Sequence, residues 1–152
     1  MREPHHSCTA AVLEDDAAYW LAVSRVPHIG PVRIERLAQR FGTLRHAWEA
    51  PREELRTVLE ARPLAELLAM RGKVEPRREL ERIAAQGISV THPGHPGYPR
   101  LLAEAAGRPA VLYVRGELTA ADEAAVEIVG TRRATPYGRQ AAERLATDLA
   151  QA

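Results

Sequence analysis

Three arginines lie around a glycine turn near the carboxyl end of this 152-residue chain. A β-branched run ends at the glycine, and a basic turn then leads into a helical pattern. Unpaired backbone N–H groups and the macrodipole at the start of a helix favour an anion. The sequence therefore predicts a phosphate site, to which we assign Gly130, Thr131, Arg132, Arg133, Thr135 and Arg139.

The residue types of this segment fit a strand, a turn and a helix in that order. Residues 127–129 suit a buried strand, and Gly130 permits a turn or a close approach of a ligand. Thr135 suits the N-cap, and Pro136 suits the first helical position. Apolar side chains at every fourth residue predict a helix face that packs on a sheet, formed by Tyr137, Ala141, Leu145 and Leu149. This order is typical of the opening βα unit of a Rossmann-like fold, although the glycines do not form the dinucleotide fingerprint.

Four short motifs together make the chain similar to the DNA-processing protein A family (DprA, also called Smf). They are Gly130-Thr131-Arg132, Ala134-Thr135-Pro136-Tyr137-Gly138, Tyr98-Pro-Arg-Leu-Leu102 and Pro109-Ala-Val-Leu-Tyr-Val-Arg-Gly116. Family members typically read Gly-Ser-Arg at the first motif, and Thr131 keeps the hydroxyl. The resemblance implies a non-enzymatic protein that binds single-stranded DNA without sequence specificity. It also implies that RecA recombinase receives this DNA during natural transformation and recombination.

The residue pattern changes near residue 87, which suggests two domains of mixed α and β class (α+β or α/β). We predict an irregular leader at 1–14 and a helical domain at 15–86 that is sterile-alpha-motif-like, or helix-hairpin-helix-like. The start of an extended Rossmann-like DNA-binding domain is predicted at 87–152. A return strand should follow the last helix, so we expect this domain to be truncated, labile and weak in DNA binding.

Local start and stop signals divide the chain further. We predict helices from Asp15 or Asp16 to Val26, from Pro31 to Phe41, after the cap Thr43, from Leu55 to Met70, from Pro76 to Gly87, and over 98–105. Strands are predicted at 88–91, 111–114 and from Val126.

The turn at Pro27-His28-Ile29-Gly30 resembles the Pro-Gly-Ile-Gly hairpin of helix-hairpin-helix elements, which binds a DNA phosphate. His28 replaces the first glycine, and a non-glycine residue tolerates a positive φ poorly. We therefore interpret the helices as a packing and protein-contact module, with His28 as a solvated turn residue.

The composition is that of a soluble globular protein, with 45% hydrophobic and 27% charged residues. The net charge is only +1, so affinity for nucleic acid must come from a local cluster. No apolar run reaches the length of a membrane span, and the single cysteine cannot form an internal disulfide, which favours the cytoplasm.

His5, His6 and Cys8 lack a second ligand pair at zinc spacing, and His92 and His95 are interpreted as loop residues. We expect no metal and no cofactor.

Other classes of function stay open. A nucleotide-binding enzyme of the phosphoribohydrolase type shares Rossmann topology, but it needs a glycine-rich loop with a nearby catalytic glutamate. A protein-contact module would bind no DNA, and its turn arginines would be solvated or paired with Glu127 or Glu143. Tyr137 could stack a base, although its place on the inward face favours packing. The sequence also leaves open a homodimer of the full-length protein.

Overall fold

A computed structural model describes residues 7–119, 122 and 125–151. The elements are α1 (Ser7–Ser24), α2 (Pro31–Phe41), α3 (Leu44–Glu49), α4 (Arg52–Leu55), α5 (Ala61–Arg71), α6 (Pro76–Ala84), β1 (Ile88–Thr91), α7 (Arg100–Glu104), β2 (Leu112–Arg115) and α8 (Pro136–Gln151). They form two compact units, Met1–Leu118 and Thr119–Ala152. The first unit includes both strands. The domain boundary predicted near residue 87 was based on a change in residue pattern, and it stays a prediction.

The second half of α1 is the centre of the first unit. Every residue of Ala17–Val23 is buried, because α1 packs against α2, α3, α6 and β1. Ile34 and Leu37 of α2 and Leu44 of α3 are buried in the same core. A helix segment that is apolar all round can be stable only when it is enclosed in this way.

The first helix begins earlier than its sequence indicates. α1 starts at Ser7, so residues 7–14 of the predicted irregular leader are helical, while residues 1–6 lie outside the described part. Asp16 was predicted as an alternative cap, but its carboxylate instead accepts a hydrogen bond from Trp20 Nε1 at 3.0 Å. Residues four apart face each other on a helix, which explains this pairing.

Several predictions from local capping signals are confirmed, whereas the single helix predicted from Leu55 to Met70 is wrong, because α4 ends at Leu55 and α5 spans Ala61–Arg71. α2 has the predicted bounds, and Gly42 follows it with a φ of +79° and an N–H that donates to the Ala38 carbonyl. Thr43 caps α3, because its hydroxyl accepts the N–H of His46 at 3.1 Å. Pro76 begins α6, also as predicted. Each of these bonds joins residues three or four apart, so a short sequence window contains the whole signal.

The turn before α2 contains a backbone conformation that the sequence argued against. His28 has a φ of +65°, although a β-carbon makes this region unfavourable by about 1–2 kcal/mol. Its side chain is exposed, as predicted, and its carbonyl accepts a hydrogen bond from Arg33 Nη1 at 3.2 Å. Burial of the next residue, Ile29, holds the turn in place. The expectation that His28 would avoid this conformation was wrong, while the helix-hairpin-helix-like and sterile-alpha-motif-like shape stays a prediction.

The two strands form a small antiparallel sheet. Ile88 lies opposite Arg115, and Thr91 lies opposite Leu112. β1 has the predicted bounds, and β2 begins one residue later than predicted. The arrangement is compatible with an α+β fold, while the parallel pairing of a Rossmann-like sheet is absent from the described strands.

The predicted third strand at Val126–Val129 is not present. These residues have no regular structure, and Val129 is 76% exposed. A strand requires hydrogen-bonding partners on a neighbouring strand, and no strand in the described part of the chain pairs with this run. Its apolar, β-branched composition was therefore not sufficient to form a strand.

Two His-Pro-Gly triplets between β1 and α7 share one local geometry. The Nδ1 of His92 accepts the N–H of Gly94 at 3.2 Å, and the Nδ1 of His95 accepts the N–H of Gly97 at 2.9 Å. A β-carbon on Gly97 would lie 3.1 Å from the His95 ring, which explains the glycine at this position. Both histidines are loop residues, as predicted.

His92 connects this loop to the helical core. Its side chain is only 2% exposed, and its ring stacks on Trp20 with 4.6 Å between the centroids and 9° between the planes. Because Nδ1 accepts a hydrogen bond, the neutral ring carries its proton on Nε2. Burial and, to a smaller extent, the charge of His95 together lower the pKa of His92 to about 4.

Acid should therefore destabilise the first unit through His92. The ordinary pKa of histidine is 6.5, so between pH 6.5 and about 4 the unfolded chain binds a proton that the folded chain does not. Above pH 6.5 the stabilisation is complete, and we expect a loss of about 3 kcal/mol on acidification across this window. Urea unfolding at several pH values, followed by the fluorescence of the core residues Trp20 and Trp48, would measure it.

Two variants separate His92 from the other titrating groups. His92→Asn keeps an acceptor for the Gly94 N–H but does not titrate, so its stability should depend less on pH than that of the wild type. His28→Asn is the control, since His28 is exposed and asparagine tolerates a positive φ. An equal acid-induced loss in His92→Asn and the wild type would contradict this assignment.

Candidate nucleic-acid interface

The predicted phosphate site lies in the second unit, on the segment that leads into α8. Arg132 and Arg133 form a turn, and the hydroxyl of Thr131 accepts the N–H of Arg133 at 3.4 Å. The six predicted site residues, Gly130, Thr131, Arg132, Arg133, Thr135 and Arg139, are all exposed. They lie on one short stretch of chain, and their role in binding stays a prediction.

Thr135 caps α8, as its residue type predicts. Its hydroxyl accepts the N–H of Gly138 at 3.1 Å, and its carbonyl accepts the N–H of Arg139, also at 3.1 Å. α8 begins at Pro136, the predicted first helical residue. A β-carbon at Gly138 would lie 3.4 Å from the Thr135 hydroxyl, so the glycine leaves room for the cap.

The cap leaves few backbone donors for an anion. Pro136 has no N–H, and the N–H groups of Gly138 and Arg139 both donate to Thr135. In the first turn of α8 only the amide of Tyr137 has no such bond among the described contacts. An anion at this end would therefore depend mainly on arginine side chains and on the helix dipole.

The three arginines of the site carry charge that no acidic group neutralises. Within the described residues, Arg132, Arg133 and Arg139 make no ion pair, and the alternative partners Glu127 and Glu143 do not contact them. The ion pair of α8 lies farther along the helix, where Arg144 Nε is 3.9 Å from Asp148 Oδ2. The arginine side chains are thus free to contact a ligand.

Gly130 has a different role from that of a turn-forming glycine. Its φ is not positive, and a β-carbon would meet no atom within 4 Å. The turn itself therefore accepts other residues at this position. Since neither φ nor a steric contact requires a glycine here, the remaining expectation is that Gly130 allows a ligand to approach the backbone closely.

Tyr137 faces solvent and does not pack on a sheet. It is 80% exposed, and Leu145 and Leu149, on the same predicted face, are also exposed. Within the described residues of this unit, no strand accompanies α8. The prediction that these side chains form an inward-facing stripe is therefore wrong for the described residues. The phenol ring of Tyr137 is accessible to solvent, and in sequence it lies between Arg133 and Arg139.

Loss of the Thr135 hydroxyl should loosen the first turn of α8. We expect Thr135→Ala to cost about 1 kcal/mol of local stability, which corresponds to a roughly fivefold faster exchange of the Gly138 amide with solvent. Hydrogen exchange measured by NMR would detect it, and Thr135→Ser is the matched control because it keeps the acceptor. Equal protection in all three proteins would show that the cap bond contributes nothing.

Comparison with known proteins connects this geometry to a family. The family model described as DNA recombination-mediator protein A matches residues 89–152, which include the whole predicted site. Protein Smf from Synechocystis sp. (strain ATCC 27184 / PCC 6803 / Kazusa) is 34% identical to this chain over 140 residues. The alignment covers 88% of this chain. The chain belongs to the DprA/Smf family.

This DprA/Smf chain spans only part of its relative. The alignment covers 35% of the Synechocystis protein, so this chain corresponds to about a third of the length of that relative. No solved structure matches the chain. In the described part, no helix is long and apolar enough to cross a membrane. The same part contains no group of three or more His, Cys, Asp or Glu arranged to hold a metal ion.

One pair of basic residues escaped the sequence analysis. Arg36 and Arg40 lie on one face of α2, and neither makes an ion pair in the described structure. The available signal was their spacing of four, which places two like charges side by side on a helix.

Proposed function

We propose that this chain binds single-stranded DNA through its backbone phosphates, without sequence specificity, using Arg132, Arg133 and Arg139. The observation that carries the proposal is the set of three exposed, unpaired arginines at the start of α8. Guanidinium groups hold phosphates by charge and paired hydrogen bonds. The segment lies inside the region that matches the DNA recombination-mediator model, which supports DNA as the ligand.

Preference for single strands follows from the aromatic side chain beside the arginines. Tyr137 is exposed, and an aromatic ring can stack on a base only where the face of that base is accessible. Duplex DNA hides these faces but offers similar phosphates. The arginines therefore supply affinity for both forms, and Tyr137 supplies the difference between them.

The wider role that we propose follows from the family. The chain would take part in DNA processing during natural transformation and recombination, delivering bound DNA to the RecA recombinase without catalysing a reaction. A cytoplasmic location, a homodimer of the full-length protein and a Rossmann-like arrangement of the whole DNA-binding domain belong to the same proposal. Its support is family membership and the binding chemistry of the turn.

A titration should reveal the strand preference. With labelled oligothymidylate and a duplex of equal length at one low salt concentration, we expect about fivefold or greater preference for the single strand. Tyr137→Ala should reduce this preference, whereas Tyr137→Phe keeps a stacking ring and should retain it. Equal affinity of the wild type for both DNA forms would contradict the proposal.

The salt dependence of binding should identify the phosphate contact of Arg132. In Arg132→Ala, we expect weaker binding of oligothymidylate and a plot of log K against log salt that is less steep by about 0.7. Arg144→Ala removes the same charge from α8 and is the control, since Arg144 is placed near Asp148. A folded Arg132→Ala protein with the slope of the wild type would remove Arg132 from the site.

A further inference from the structure

Most arginines of the first unit already have a partner. The pairs are Arg25 with Glu79, Arg33 with Glu60, Arg45 with Glu49, Arg56 with Glu53, Arg82 with Glu79, and Arg108 with Glu35, while Arg71 donates to the carbonyls of Ala47 and Ala50. Among the described contacts, no such partner is present for Arg36, Arg40, Arg52, Arg62, Arg78 and Arg115, and of these Arg36 and Arg40 line one cavity together. Among the described contacts, neither forms a hydrogen bond or an ion pair, and both are exposed.

These two arginines line a surface cavity of about 370 Å³. α2 contributes Arg36, Gln39 and Arg40, and the opposite side is formed by Thr57 and Val58. The Thr57 hydroxyl donates to the Glu54 carbonyl at 2.6 Å, so its proton is already used. Donors for a ligand are therefore the two guanidinium groups and the amide of Gln39. We call this cavity the Arg36–Arg40 pocket.

The charge in the Arg36–Arg40 pocket is not compensated by its surroundings. Glu60 is an acidic group close enough to interact with Arg36, since the charge of Arg36 makes a small contribution to lowering the pKa of Glu60. The larger cause is Arg33, whose Nε donates to the Glu60 carboxylate at 2.9 Å. Glu60 is thus already engaged by another guanidinium, and among the described contacts it forms no ion pair with Arg36 or Arg40.

The helix places both arginines on one face, and a ring contact orients Arg40. They are four residues apart on α2, where like charges repel and slightly destabilise a helix. The Arg40 guanidinium lies over the Phe41 ring at 5.5 Å, within the range of a cation–π contact. An anion between the two guanidinium groups would remove the repulsion and gain hydrogen bonds from both.

We propose that the Arg36–Arg40 pocket binds a backbone phosphate of DNA, as a contact separate from the arginines at the start of α8. The inference rests on the proposed DNA binding and extends it to the helical region. A phosphate suits the pocket because its oxygens can accept from both guanidinium groups and from the Gln39 amide at once. The family to which the chain belongs favours DNA over an acidic protein as the source of the anion.

The test compares two double variants of this chain that lose the same charge. Arg36→Gln with Arg40→Gln empties the pocket of cations, while Lys73→Gln with Arg78→Gln removes two exposed cations that do not line it. With labelled oligothymidylate at low salt, we expect the pocket variant to bind about tenfold more weakly, with a salt slope lower by about 0.7. The control should stay within about twofold of the wild type. Circular dichroism checks that both fold.

The outcomes separate this inference from the proposed function. If Arg132→Ala weakens binding but the pocket variant behaves like its control, the pocket inference is wrong and the proposed function stands. If the wild type binds no oligothymidylate, both are wrong. If polyglutamate displaces oligothymidylate from the wild type but not from the pocket variant, the pocket selects acidic protein and the DNA assignment is overturned.

An NMR titration distinguishes DNA from free phosphate. The Nε–H signals of Arg36 and Arg40 should shift on addition of oligothymidylate, and at higher concentrations on addition of inorganic phosphate. Signals that respond to inorganic phosphate but not to oligothymidylate would overturn the assignment to DNA. The arginines are exposed, so their replacement should leave the core around Ile34 and Leu37 intact.

Discussion

Enclosure of one helix segment is the constraint on which the first unit depends. Ala17–Val23 of α1 is apolar on every side, so neighbours must cover it from several directions. Helices cover part of it, and the loop after β1 covers Trp20 with the ring of His92. Arg108 then joins the segment before β2 to Glu35 of α2 at 2.7 Å. The strands therefore belong to the same compact unit as the helices, although they differ from them in sequence pattern.

The second unit is organised by a different kind of interaction. Its described apolar side chains, such as Val129 and Leu145, are exposed, and its defined geometry comes from short-range hydrogen bonds. The bond from Gly138 to the Thr135 hydroxyl sets where α8 begins and uses a donor that an anion would otherwise contact. A ligand of the proposed kind would be held there by side-chain charge, because neither a backbone cradle nor an apolar pocket is built around the described segment.

The sequence predicted those parts of the fold whose causes lie within a few residues. Thr43 and Thr135 act as caps because each cap needs only a hydrogen bond between a hydroxyl and a backbone amide three residues apart. Val126–Val129 failed as a strand because pairing depends on a distant partner. The burial of His92 could not be predicted from the sequence either, because it depends on stacking against Trp20, which is distant in sequence. The candidate site at 130–139 could be proposed from the sequence because its arginines, glycine and cap residue are contiguous there.

The distribution of charge is what would allow a chain with a net charge of +1 to bind nucleic acid as proposed. In the first unit, carboxylates close to individual arginines neutralise many of them, as Glu60 does for Arg33. Charge remains where such a partner is missing, and two such arginines or more lie together in the turn before α8 and on one face of α2. Unpaired guanidinium groups keep their donors for phosphate, whereas paired ones would first have to lose a carboxylate. The useful quantity is therefore the number of unpaired arginines at one place, which the overall charge conceals.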